Sequence, residues 1–233
     1  MSAVAAKAMA ATKSQPKQRI DRDSIVAAGM SIAARPGTPA VTVRELGKYL
    51  GADPTSIYRH FRNKDDVMRA LLEYLMVTIR DRITAPREEW RARLRQIASA
   101  TFELFVQYPA IGAEAMNLST NGPAELDIVE DMLDCMEVAG LNDDEAVRHY
   151  AAFSTYLLAY CSGVARNTGA VGAEDSEDDN SWLSKTLPMS PATHPRVNAL
   201  RGALVSLDDR DVYDMGIEAL LDAVEANTGR TRA

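Results

Sequence analysis

The chain predicts an all-α protein: an N-terminal three-helix unit, a connecting helix, and a larger helical bundle. Two observations predict this. Apolar residues recur at i, i+3 and i+4 spacing through most of the 233 residues. The breaks between these stretches carry helix starts and stops: Asp53-Pro54, Asn63, Gly122-Pro123 and Asn142 before helices, Gly51 and Gly140 after them.

The first twenty residues carry Lys7, Lys13, Lys17 and Arg19 and no acid, among Ala, Ser, Thr and Gln. This predicts a flexible basic arm over residues 1–20, either lying on a polyanion or without function. A helix follows near Asp23–Arg35, with Ile25, Val26, Met30, Ile32 and Ala33 turned inward. Pro36-Gly37-Thr38-Pro39 stops it.

Thr42 to Asp66 is the most specific stretch. Thr42-Val43-Arg44-Glu45 has capping-box form, and Val43, Leu46 and Leu50 share one helical face. Gly51 ends that helix. Asp53 and Pro54 open a very short one, anchored by Ile57 and Phe61 at i, i+4. Asn63 caps a third, running through Val67, Leu71, Leu72 and Leu75 toward Pro86. Gly47 sits mid-helix, where Gly costs up to about 1 kcal/mol relative to Ala, which predicts a close helix crossing. This is the layout of a helix-turn-helix, and it predicts binding to duplex DNA. Thr55, Ser56 and Arg59 point away from the anchors. Tyr58 and Phe61 also suit a core, His60 a helix end, and Arg59 a solvated surface. Lys64 at a helix N-terminus opposes the helix dipole, so an anionic partner there would explain it.

The run resembles the DNA-binding domain of the tetracycline-repressor (TetR) family. The family pattern is roughly T-x-R-x-L-A-x-x-L-G, a short gap, then L-Y-x-H-F-x-N-K-x-x-L. It is matched here by Thr42, Arg44, Leu46, Leu50, Gly51, Ile57, Tyr58, His60, Phe61, Asn63, Lys64 and Val67, with Gly47 and Ile57 as mild departures. The resemblance implies phosphate contacts from Thr42, Tyr58, His60 and Lys64. It implies a base contact from Arg44, with Thr55, Ser56 and Arg59 on the recognition helix. An arginine in the major groove pairs bidentately with guanine, while phosphate contacts set register.

Charge supports a division of labour. The chain is acidic overall, at −7, yet residues 1–85 carry a net +6 and residues 86–233 a net −13. This predicts a DNA-binding domain with its connecting helix over residues 21–85 and a separate regulatory domain over residues 86–233.

In the second part, Trp90, Leu94, Ile97, Phe102 and Phe105 mark a helix ending by Pro109. A short helix spans Ile111–Leu118. Another starts at Asn121-Gly122-Pro123 and ends at Gly140. Asn142 caps a helix over Ala146–Arg166 that is apolar on most sides, as expected for a core or a core plus an interface. An acidic loop covers residues 168–195. Its carboxylates lack the spacing of metal ligands, so no metal and no cofactor is expected. Two helices close the chain, near Arg196–Val205 and Asp209–Ala226.

The last helix resembles that of drug-sensing TetR proteins, F-x-x-G-L-x-x-L-L-x-G-L, through Tyr213, Gly216, Ile217, Leu220, Leu221 and Val224, with Ala223 for the second glycine. This implies a homodimer in which it joins the Ala146–Arg166 helix in a four-helix interface, with Gly163 and Gly216 allowing close approach. The alternative is an ordinary core within the chain.

The helices of the second part predict a small-molecule effector pocket lined by Phe102, Phe105, Met116, Met132, Met136, Phe153 and Tyr156, since thioethers and aromatics adapt to apolar ligands. The same residues at helical spacing more often form a plain core. An enzyme is not expected: the three histidines, His60, His149 and His194, form no metal-ligand motif, and no nucleophile elbow or phosphate loop is present. No apolar run suits a signal peptide or a membrane span, and Cys135 and Cys161 read as buried free thiols, which predicts a cytoplasmic protein. The expected function is a sequence-specific transcriptional regulator, released as a repressor from a palindromic operator by its ligand. The alternative is a helical protein with architectural, nonspecific DNA binding.

Overall fold

A computed structural model describes residues 20–35, 37–38, 40–170 and 191–231. Nearly all of the basic arm and most of the acidic loop lie outside the described residues. No strand occurs among the described residues.

The N-terminal unit consists of α1 (Arg22–Ala33), α2 (Val43–Leu50) and α3 (Pro54–Ile57), against the first turns of α4 (Lys64–Asp81). Each start is locally encoded. Asp21 and Ser24 form a reciprocal capping box at α1, and Thr42 and Glu45 form another at α2. Asn63 accepts the Asp66 amide at 2.8 Å and so caps α4. Ile25, Ile32, Leu46, Ile57, Phe61, Leu71 and Leu72 are fully buried together. Truncating one of them to Ala would cost about 2–5 kcal/mol. α1 crosses α4 closely at Gly29, where an added Cβ would lie 2.6 Å from Leu71 Cδ2.

The bundle is built from α5 (Trp90–Gln107), α6 (Pro109–Gly112), α7 (Pro123–Ala139), α8 (Asp143–Ala170), α9 (Pro195–Val205) and α10 (Asp209–Thr231). α8 packs on α5, α6, α7 and α10, and α4 inserts its second half against α5 and α7. The core includes Ile79, Leu94, Ile97, Phe105, Ile111, Met136, Cys161, Tyr213 and Leu221. Both cysteines are buried free thiols, and burial pushes Cys135 up to about 11 and Cys161 to about 12.

Several elements differ from the periodicity reading, among them α10, which runs past Ala226 to Thr231. α4 ends at Asp81, short of Pro86, because the Gln96 side chain takes the Thr84 and Ala85 amides at 2.9 Å each and satisfies the backbone outside the helix. The helix expected over Ile111–Leu118 divides into α6 and a 3-10 turn, Ala115–Asn117. α8 extends at both ends beyond Ala146–Arg166.

Candidate DNA-binding surface and its link to the bundle

Geometry around the turn follows from local chemistry. Gly51 closes α2 at φ 62°, a left-handed conformation that favours glycine. Asp53 then accepts the Thr55 amide at 2.8 Å and its hydroxyl at 2.6 Å, and these bonds hold the Asp53 carboxyl below its ordinary range. A Cβ on Gly47 would sit 2.9 Å from the Ala52 carbonyl oxygen and 3.2 Å from Pro54 Cγ, so the missing side chain admits the start of α3. α3 proper ends at Ile57, and hydrogen-bonded turns carry the chain to Phe61.

Seven of the eight residues expected at DNA are exposed in the structure. Thr42, Arg44, Thr55, Tyr58, Arg59, His60 and Lys64 are exposed, and Ser56 is half-buried with its hydroxyl donating to Asp53 O at 2.6 Å. Tyr58 is not a core residue: half of it is open to solvent, while Ile57 and Phe61 beside it are sealed. Among the described residues, the Arg44, Arg59 and Lys64 side chains make no ion pair with a carboxylate. Arg22 backs the surface, its guanidinium 4.3 Å from the Phe61 ring centre.

The link from α4 to the bundle runs through polar contacts that sequence reasoning missed. Glu73 of α4 accepts the Ala124 amide at 2.7 Å through Oε1 and the Thr120 hydroxyl at 2.7 Å through Oε2. It thereby caps α7, whose own N-cap, Gly122, supplies no side chain. The Thr120 oxygen also lies 2.8 Å from Glu125 Oε2 and accepts the Gly122 amide at 3.0 Å. Its one proton is shared between two carboxylates. Burial is the largest influence on Glu125 and raises it, yet bonds from Thr120, Ser119 and Asn121 together hold it below its ordinary value. Arg69 Nε donates to Ser119 O at 3.2 Å, and Arg80 pairs with Asp127 at 2.6 Å. No signal in the sequence marks Glu73, because its partners lie 47 and 51 residues away.

Six of the seven residues expected to line a ligand pocket belong to or pack against one hydrophobic core, and Met116 lies outside it. A small cavity of about 80 Å3 does lie between α4, α5, α7 and α8, lined by Met76, Ile79, Ile97, Met132, Tyr150 and Leu157 among others. Of the seven expected residues only Met132 reaches it. Phe102 and Tyr156 belong to an aromatic cluster around Tyr213, with ring centres 5.0 and 5.9 Å away. Phe105, Met136 and Phe153 are core, and Met116 is exposed on the 3-10 turn. Periodicity places a residue on an inward face and does not tell which inward face encloses space. Gly216 likewise serves the chain's own interior: a Cβ there would overlap the Tyr156 hydroxyl, which donates to the Val212 or Tyr213 carbonyl at 3.3 Å. A Cβ on Gly163 would meet only Arg166, at 4.0 Å.

Among the described residues no helix is long and apolar enough to cross a membrane, and no cluster of metal-ligating side chains occurs. A helix-turn-helix with an exposed cationic surface, joined by one long helix to a larger bundle, defines a two-domain DNA-binding transcriptional regulator. Two family models match: bacterial regulatory proteins of the tetR family over residues 25–71, and the tetracyclin repressor-like C-terminal domain over residues 84–228. The chain belongs to the TetR family.

Its relatives are transcriptional regulators. The repressor DrrR1 of Streptomyces coeruleorubidus is 25% identical over 231 residues, covering 93% of this chain and 82% of that protein. The class D tetracycline repressor of Escherichia coli is 26% identical over 215 residues, covering 89% and 90%. Apo ActR of Streptomyces coelicolor shares the fold, with a TM-score of 0.70 at 20% identity over 94% of this chain and 100% of that one. ActR has also been solved in complex with actinorhodin.

Proposed function

We propose that the protein is a homodimeric repressor that leaves a palindromic operator when a small molecule enters its regulatory domain. The single observation that carries the DNA-binding half is the exposed surface of Arg44, Tyr58, Arg59, His60 and Lys64, where Arg44, Arg59 and Lys64 have no carboxylate partner among the described residues. In this reading Thr42, Tyr58, His60 and Lys64 hold phosphates. Arg44, Thr55, Ser56 and Arg59 face base edges. Residues 21–85 bind DNA and residues 86–233 sense the ligand and dimerise.

Dimerisation is supported by faces that the chain leaves uncovered. α8 exposes Val147, Ala151, Thr155 and Ala159, and α10 exposes Met215, Ala219, Ala223 and Ala226. α9 buries no residue among the described ones and exposes Leu200 and Val205. Two copies joined by α8 and α10 would present two recognition surfaces, which must sit about 34–36 Å apart to enter successive major grooves.

Ligand response is supported by the cavity at α4. Drug-sized ligands need about 300–1,000 Å3. A cavity of about 80 Å3 must therefore grow, and Met76 and Ile79 of α4 form one wall. Growth displaces the helix that carries the DNA-binding unit. Relatives named as repressors, and ActR solved with actinorhodin, are consistent with this reading. Linkage requires the ligand to bind the DNA-incompetent form more tightly.

The test is selection of random duplex DNA on the purified protein at near-physiological salt. A recovered palindrome supports a dimeric, sequence-specific regulator; recovery without any motif would favour architectural binding instead. The operator so found is the bait for effector screening.

A further inference from the structure

An open crevice of about 710 Å3 separates the DNA-binding unit from the start of α7, and it lies apart from the small core cavity. Its apolar lining comes from two helices: Val26, Ala27 and Met30 of α1, and Ala70, Tyr74 and Val77 of α4. Thr120, Gly122 and Pro123 close one end, beside the Glu73 cap. Tyr74 is half exposed there.

Charged groups at the crevice are not equally occupied. Glu73 uses both carboxylate oxygens on α7 and its loop. Asp66 accepts the Arg62 amide at 3.0 Å. Asp23 sits in the first turn of α1, where the helix dipole favours a negative charge without a partner. Arg69 engages only its Nε, with Ser119 O, and its two terminal nitrogens bond nothing among the described residues. Arg22 has a cation–π contact and one long bond, 3.4 Å, to His60 O. Unspent donors in this crevice include guanidinium groups, which suit planar oxyanions.

We propose that this crevice is a second small-molecule site, taking an amphipathic organic anion. Its apolar body lies along Val26, Met30, Tyr74 and Val77, and its carboxylate or sulfonate meets Arg69. Such an occupant touches α1, α4 and the α7 start at once, so it bridges the DNA-binding unit to the bundle and biases their relative placement. This site differs from the effector pocket of the preceding reading, which opens between α4, α5, α7 and α8.

The experiment titrates 8-anilinonaphthalene-1-sulfonate into the full-length protein by calorimetry, with no DNA present. It compares Ala27→Trp, which fills the crevice from an exposed position on α1, with Arg69→Gln, and with Val129→Phe, which fills the core cavity. Circular dichroism establishes that each variant is folded, and Arg69→Gln decides alone if Ala27→Trp is not. The expected result is binding to the unmodified chain that Ala27→Trp and Arg69→Gln each weaken about tenfold or more, the loss expected for a charged hydrogen bond or a filled site, and that Val129→Phe leaves in place. Absence of binding, binding unchanged in Arg69→Gln, or loss in Val129→Phe overturns the proposal. Failure of the operator selection would leave this result unaffected, so the two readings fail separately.

Discussion

Glu73 of α4 and Ala124 of α7 are joined by a 2.7 Å hydrogen bond that makes a residue of the connecting helix the N-terminal cap of a bundle helix. Capping is usually local, from a side chain beside the helix start. Here the cap comes from 51 residues away, so α7 cannot shift from α4 without losing it. Glu73→Ala leaves the Ala124 amide and the Thr120 hydroxyl without this acceptor and should cost about 1–3 kcal/mol, read from the urea midpoint. Glu73→Gln, which keeps one carbonyl oxygen, should cost less. Gly122→Ala should resemble Glu73→Ala, because its Cβ overlaps the Glu73 carboxylate. Equal stability of Glu73→Ala and the unmodified protein would show that the cap is not a stabilising contact.

Gly47→Ala sets two effects against each other. Helix propensity favours Ala by up to about 1 kcal/mol. The new Cβ would press on a backbone oxygen at 2.9 Å and on the Pro54 ring at 3.2 Å. Backbone cannot swing aside as a side chain can, so the clash should win, lowering stability and loosening the α2–α3 angle. The urea midpoint should fall and DNA affinity with it. A rise in both would mean that the turn relaxes at no cost.

Surface substitutions separate phosphate from base contacts. Lys64→Ala should weaken binding to all duplexes alike and lower the salt slope by about one. Arg44→Ala should in addition relax preference at one base pair, by about 1–3 kcal/mol. Competition with single-site operator variants reads both. Uniform weakening by Arg44→Ala would reassign that arginine to a phosphate.

α10 is tied to α5 by charge, and the tie should be acid-sensitive. Bonds from Arg95, and then from Arg91 at 2.8 Å, hold Glu218 down at about 2 against an ordinary 4.5. A depressed carboxyl stabilises the fold above its unfolded value, and that contribution disappears as pH falls through the folded one. Glu218→Gln should therefore be less stable than the unmodified protein above about pH 4.5 and converge with it toward pH 2. Glu218 is two-fifths exposed, so added salt should shrink the difference. A gap independent of pH would point to lost packing instead.

Legibility divides along the range of the interactions. The helix-turn-helix was readable because its determinants are neighbours in sequence: Thr42 with Glu45, Asp53 with Thr55, Asn63 with Asp66, and Gly51 at the end of α2. Each bond forms within three residues and depends little on the rest of the chain. The candidate DNA surface inherited that legibility in part, since Thr55, Tyr58, Arg59 and His60 are exposed where Ile57 and Phe61 point inward. The expected pocket residues were legible only as inward-facing ones. Phe102, Phe105, Met136 and Phe153 are inward-facing as their spacing requires, yet packing closes the space around them and leaves the small cavity at Met132.

The sequence by itself determined the all-helical class, the caps, the turn, and the separation of a basic front from an acidic bulk, because propensity, capping and charge are properties of short stretches. Tertiary structure alone decided that Glu73 caps α7, that Gly216 makes room for Tyr156, and that an open crevice lies between α1, α4 and the start of α7. Those outcomes depend on how rigid helices pack at a distance, where an error of a few degrees in crossing angle decides whether two faces touch or leave a cavity.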